Sequence, residues 1–214
     1  MSNGQGPVPT RTASFGQSRE LGFFDRVGIR IRERTVRRHV KLDGKRLGDL
    51  GCGYDAAMAR ATLDRVSSAL LVDLQIAPDL KEHPKVTAFE GAFDDVLPGL
   101  ESGSLDVVIC LAVVEHLWNA QQTLSEFRRL LAPGGVLLVD VPSWRAKPVL
   151  ELFAFRLGVA TEEMDDHKRY YDPRDLWPML VDAGFKPSLI RCRRNKLGFG
   201  TFAVCRVQDE TPEG

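Results

Sequence analysis

Leu47-Gly48-Asp49-Leu50-Gly51-Cys52-Gly53 is the stretch that decides how the rest of the chain is read. A predicted strand from Arg46 to Leu50 runs into the glycine-rich turn, and a predicted helix from about Ala56 to Val66 leaves it. Glycine at a strand-to-helix turn lets the backbone come close to a ligand, in the crevice at the carboxyl ends of the strands where open α/β sheets bind nucleotides. A tight turn without a ligand uses the same residues, so this turn gains meaning from its neighbour. Asp73 ends the next predicted strand, Ala69 to Asp73, twenty residues past Gly53. A carboxylate there is placed to accept hydrogen bonds from both hydroxyls of a ribose.

Working outward, strand and helix keep alternating. Val86 to Phe89 reads as a short strand, Leu105 to Leu111 as a nearly continuous apolar one, Asn119 to Leu131 as a helix, and Gly135 to Val141 as a further buried strand. Unbroken apolar runs of this kind fit parallel strands covered on both faces. Upstream, Phe23, Val27, Ile31, Val36 and Val40 recur at roughly helical spacing, and Asp43-Gly44 supplies the stop. Downstream, Lys147 to Leu157 and Pro173 to Ala183 read as helices, with Gly158 to Tyr171 polar and irregular between them. Lys186 to Arg193 and Phe199 to Val207 close the chain as an antiparallel hairpin. The expected fold class is therefore α/β: a doubly wound, mostly parallel, seven-stranded Rossmann-like sheet with a carboxyl-terminal antiparallel hairpin and an amino-terminal helix. One domain at residues 21–208 is expected between flexible tails at 1–20 and 209–214, the first of them rich in Gly, Ser, Thr, Pro and Gln.

The 29 basic and 29 acidic residues of the 214 cancel, so no global field points to nucleic acid as a partner. Locally, Arg19 to Arg46 carries ten Lys or Arg against four Asp or Glu. The helix at 26–41 is thus either a solvated basic face or a docking surface for an anionic substrate or partner. No apolar run approaches the ~20 residues of a membrane span, and the amino terminus lacks the apolar core of a secretory signal, so a cytoplasmic location is expected. Cys52, Cys110, Cys192 and Cys205 form neither a Cys-x-x-Cys pair nor a metal-ligand spacing, which suits reduced thiols and no metal.

Taken in order, Asp49-Leu50-Gly51-Cys52-Gly53, Asp73, Leu105-Asp106-Val107-Val108-Ile109-Cys110-Leu111 and Leu131-Ala132-Pro133-Gly134-Gly135-Val136-Leu137 make a set. The set resembles the class I S-adenosylmethionine-dependent methyltransferases over nearly all of Leu21 to Val207. That resemblance implies S-adenosyl-L-methionine as cofactor, with Asp49, Gly51, Cys52 and Gly53 around its methionine portion. It also implies Asp73 and Leu74 at the ribose, and Leu111 at the end of the fourth strand. The third motif departs from the family pattern, because Gly91 is followed by Ala92 where a Gly-Asp pair is usual. Adenine is then left to Asp94 or Asp95 from a shifted loop, or to the backbone around Phe93 with its apolar ring.

Membership would imply methyl transfer to an oxygen or nitrogen of a small-molecule acceptor, such as a sugar or another biosynthetic intermediate. His116, just beyond the fourth strand, is the first candidate general base; its alternative role is structural, capping the next helix or satisfying a buried carbonyl. His167 is the second candidate, in Asp165-Asp166-His167-Lys168-Arg169-Tyr170-Tyr171. Tyr170, Tyr171 and Trp144 are candidate substrate contacts; the tyrosine segment alternatively closes the cofactor pocket or pins the next helix at Asp172-Pro173, and Trp144 alternatively packs. Two other function classes stay open: a non-catalytic cofactor-binding scaffold that meets a partner through the basic helix, and a nicotinamide-dependent oxidoreductase. The second is disfavoured by Asp49, by the short chain and by the terminal hairpin.

Overall fold

Seven strands account for the apolar runs: β1 (Arg46–Leu50), β2 (Ser68–Asp73), β3 (Val86–Glu90), β4 (Leu105–Leu111), β5 (Leu131–Pro142), β6 (Ile190–Asn195) and β7 (Gly200–Arg206). They form one sheet in the order β3-β2-β1-β4-β5-β7-β6, in a computed structural model that describes residues 14–16, 23–148 and 169–209. The first five strands pair in parallel, and β7 runs antiparallel between β5 and β6. Six α-helices are described: α1 (Phe23–His39), α2 (Ala57–Arg60), α3 (Pro78–Lys81), α4 (Phe93–Val96), α5 (Ala120–Leu130) and α6 (Pro173–Asp182).

The sheet is covered on both faces, which is why its central strands are apolar without alternation. In β4, Val108 and Cys110 face a layer built with Leu124 and Phe127 of α5 and Leu176 and Leu180 of α6. Val107 and Ile109 face the other way, toward Val36 of α1, Ala59 of α2 and Leu80 of α3. Strand order reverses beside β1, with β2 and β3 on one flank and β4 and β5 on the other. Chains leaving adjacent strands in opposite directions open a crevice at the carboxyl ends of β1 and β4.

Three local differences from the sequence reading have physical causes. The helix expected over 56–66 shrinks to four residues, because Ala56 sits in the left-handed region at φ 39° and Thr62 Oγ1 bonds back to the carbonyls of Met58 and Ala59 at 3.0 and 3.1 Å. The first hairpin strand begins at Ile190 and not Lys186, since Pro187 lacks an N–H and opens a 3₁₀ turn over Pro187–Leu189. Within the stretch read as a loose tail, Ser14 is buried and packed onto the sheet end. The helix expected over Lys147 to Leu157 runs past Pro148 outside the described residues, as does His167. Among the described residues no helix is long and apolar enough to cross a membrane.

Candidate active site

β1 enters the crevice with Asp49 and hands the chain to the glycine turn. Gly51 has φ 79°, and a Cβ added there would lie 2.3 Å from Val113 Cγ2, so the loop after β4 presses directly on this turn. Only glycine meets both demands. The Gly51 N–H donates to Val72 O at 2.8 Å, which ties the turn to β2. Asp73 then closes it from the other side: its Oδ2 accepts from the Gly53 N–H at 2.7 Å and its Oδ1 from the Leu74 N–H at 2.8 Å.

The amino-terminal segment completes this end. Ser14 Oγ donates to Asp73 Oδ1 at 2.5 Å and itself accepts from the Gln75 N–H at 2.6 Å, while Phe15 O accepts from the Tyr54 N–H at 2.9 Å. Phe15 stands on the wall of a cavity of about 540 Å³ that fills the crevice. Asp49 lies on the same wall, 5% exposed, and its Oδ2 has no hydrogen-bond partner among the described residues. Burial pushes the Asp49 carboxyl up to about 7, with the nearby Asp73 charge adding to the effect.

The other end of the cavity is assembled from distant segments. Ile29 and Arg32 reach it from α1, Glu115, His116 and Leu117 from the loop after β4, and Lys196 and Phe199 from the β6–β7 turn. Asp140, near the end of β5, accepts from Asn195 Nδ2 at 3.0 Å and from Lys196 Nζ at 2.5 Å. Lys196 and Leu197 both hold positive φ, 48° and 58°, a conformation that costs about 1–3 kcal/mol per residue and is fixed here by the Asp140 contact. Glu115 is 1% exposed, and its Oε2 lacks a hydrogen-bond partner among the described residues. Burial pushes its carboxyl up to about 8, helped by Asp140 and opposed by Arg32 and Lys196.

Of the residues singled out for a cofactor, Asp49, Gly51, Cys52, Gly53, Asp73, Leu74, Phe93 and Leu111 all meet on this wall. Asp94 does not: α4 begins at Phe93, the helix turns Asp94 outward, and its carboxylate accepts from Asn119 Nδ2 at 2.9 Å. His116 is on the wall, but Trp144, Tyr170 and Tyr171 are not. Trp144 donates Nε1–H to Asp175 at 3.2 Å and its ring lies 5.7 Å from that of Tyr170, while Tyr171 belongs to the core beside Leu176. Sequence reasoning missed Ser14, Phe15, Arg32, Asp140, Lys196 and Phe199. Only Arg32 carried a signal, as one cation in the basic helix. Cys52 is a free thiol that burial keeps protonated, and among the described residues no group of His, Cys, Asp or Glu is placed to hold a metal.

The family described as "Methyltransferase domain" matches residues 48–139, which span β1 to β5 and most of the wall just described. A probable S-adenosylmethionine-dependent methyltransferase of Mycolicibacterium smegmatis is 32% identical over 145 residues, 67% of this chain and 52% of that protein. The chain belongs to the class I S-adenosylmethionine-dependent methyltransferases. A ubiquinone biosynthesis O-methyltransferase of Psychrobacter arcticus is 27% identical over 154 residues, 67% of this chain and 60% of its own. The chain spans about half the length of the first of these curated relatives. In fold, a crystal structure of a putative methyltransferase from Bacillus halodurans superposes with a TM-score of 0.63 at 17% identity, covering 82% of this chain and 98% of the other.

The methyltransferase cofactor presents an ammonium group, a ribose diol and an adenine, and the wall suits each. The Asp49 Oδ2 is a buried acceptor on the cavity wall with no partner among the described residues, which an ammonium would satisfy. Asp73 already receives a hydroxyl, that of Ser14, so its carboxylate is arranged for hydroxyl donors. Gly91, Ala92 and Phe93 give an apolar, carboxylate-free wall where the family usually has an acid.

Proposed function

We propose that the chain transfers a methyl group from S-adenosylmethionine to an oxygen or nitrogen of a small-molecule acceptor. The observation that supports this reading most strongly is one cavity whose two ends differ: Asp49, the glycine turn and Asp73 at one, and a separate set of side chains at the other. Its volume, about 540 Å³, lies in the range of roughly 300–1,000 Å³ typical of small-molecule sites. Bound at the Asp49 end, the cofactor supplies an electrophilic methyl group on a sulfonium. Asp49 and Asp73 then fix its ammonium and its ribose, and the loop after β4 fixes the acceptor opposite. Holding two reactants in line is itself worth several kcal/mol, roughly 7–11 in the best intramolecular cases. As the bond to carbon forms, a hydroxyl or amine acceptor must lose a proton, and His116, which lines the same cavity, is the base in this reading.

Incubation of the protein with methyl-labelled cofactor and metabolite pools tests turnover and acceptor together. Label in a small product supports the reading; label retained by the cofactor in every pool contradicts it. Once an acceptor is in hand, His116→Ala is expected to lower turnover about 100-fold with cofactor affinity unchanged. A loss of stability by itself, with activity following the unfolded fraction, assigns His116 to structure instead.

A further inference from the structure

The charged groups at the acceptor end balance in number, Arg32 and Lys196 against Asp140 and Glu115, but among the described residues only Lys196 and Asp140 are paired. Lys196 is taken up by Asp140 at 2.5 Å, and Asn195 holds the second Asp140 oxygen. Arg32 lines the cavity from α1 yet makes no hydrogen bond or ion pair among the described residues. Facing it is Glu115, buried and with one oxygen unpartnered. A guanidinium held on a cavity wall without a hydrogen-bonded anion, and a buried carboxyl with one oxygen left unpartnered, are both costly arrangements. The same ligand group can relieve both.

We propose, resting on the methyl-transfer reading above, that the acceptor is a carboxylic acid whose carboxylate is held between the Arg32 guanidinium and the Glu115 carboxyl. The planar fork of arginine presents paired N–H donors that match the two oxygens of a carboxylate. Glu115 is kept as the neutral acid by its surroundings, so it adds an O–H donor and no repulsion. One uncompensated positive charge and one neutral donor match a monoanion. A phosphate dianion asks for a second free cation, and Lys196 is already committed to Asp140. Ile29, Leu117 and Phe199 on the surrounding wall suit an apolar body on the acid.

The test is a ligand-observed NMR titration of the full chain with benzoate, benzamide and phenyl phosphate, run with and without S-adenosylhomocysteine. Benzoate is expected to bind about tenfold or more tighter than the other two, the scale of a charge-assisted hydrogen bond. Arg32→Gln is expected to bring benzoate down to the level of benzamide, and Arg32→Lys to keep part of the preference. Glu115→Leu, which removes the donor, is expected to weaken benzoate several-fold. Equal response to the three probes, tighter phenyl phosphate, or a benzoate preference that survives Arg32→Gln overturns the proposal. So does tighter benzoate binding by Glu115→Leu, since that shows an ionised Glu115 repelling the acid. If S-adenosylhomocysteine binds and the probes are not distinguished, the acid site fails alone. If benzoate is preferred and S-adenosylhomocysteine does not bind, the parent reading fails and the acid site stands.

Discussion

The two ends of the cavity are built by opposite means. The cofactor end comes from a nearly continuous piece of chain, β1, its glycine turn, β2 and the loop after β3, and most of its polar groups are tied into backbone hydrogen bonds before any ligand arrives. The acceptor end gathers single residues from α1, the loop after β4, the end of β5 and the β6–β7 turn, from Ile29 to Gly200. Among them, Asp140 is paired with Lys196 and Asn195, and one Glu115 oxygen has no partner among the described residues. The first end is therefore fixed by local backbone geometry, and the second by long-range packing that can change residue by residue without disturbing the fold.

The largest effect that would break this contrast lies at Gly51. Gly51→Val places a branched side chain at φ 79° and against Val113 at 2.3 Å, so strain and overpacking together are expected to cost about 3 kcal/mol or more. The obstacle is thus the facing loop and not only a ligand. Chemical denaturation measures it, and a variant of native stability would show that the turn is not fixed by the β4 loop. Val113→Ala added to Gly51→Val is expected to recover only the part that comes from the clash.

Asp49 carries the next effect, through pH. Its carboxyl is raised from 3.8 to about 7 in the folded state, chiefly by burial. Below pH 4 the group is neutral in both folded and unfolded chains and costs nothing. Between pH 4 and 7 the unfolded chain ionises it and the folded chain does not, so stability falls as pH rises through that window, by up to about 1.4 kcal/mol per unit. Above 7 the loss is complete. Asp49→Asn is expected to remove the trend, so that its stability relative to the parent grows by on the order of 3 kcal/mol from pH 4 to pH 8. A pH-independent difference would mean that Asp49 is ionised and already paired.

How much of this was legible follows from the same contrast. Asp49, Gly51, Gly53 and Asp73 could be read because a strand, a turn and a strand in sequence order place them together, with the turn chemistry and the spacing both visible. The wall expected for adenine was half legible: Phe93 and Asp94 were both expected there and only Phe93 lines the cavity, because a shift of one residue at the start of a helix reverses which side chain points inward. Asp140 and Lys196 could not be read at all, and Arg32 only as one cation among several in the basic helix. Their meeting depends on where α1 lies and on a strained hairpin turn, neither of which a local pattern encodes. Trp144, Tyr170 and Tyr171 lie off the cavity wall for another reason: Tyr171 fills the core beside the site, and the exposed Trp144 stacks near Tyr170 and bonds to Asp175.

The smallest effect concerns the amino-terminal segment, which composition made a loose tail and the structure docks through Ser14 and Phe15. Removal of residues 1–16 is expected to lower stability by about 1–2 kcal/mol, the scale of a few part-buried hydrogen bonds. A thermal midpoint unchanged by the truncation would return the segment to the solvent.

The central claim, that the β1–β2 carboxylates and the glycine turn hold the cofactor, is tested most directly by calorimetric titration with S-adenosylhomocysteine, alongside NAD as the contrasting ligand. The account predicts one-to-one binding of the first, none of the second, and a loss of about 1–3 kcal/mol in Asp73→Ala, whose carboxylate is the one placed for hydroxyl donors. Tight NAD binding with no heat from S-adenosylhomocysteine, or an affinity indifferent to Asp73, would contradict it.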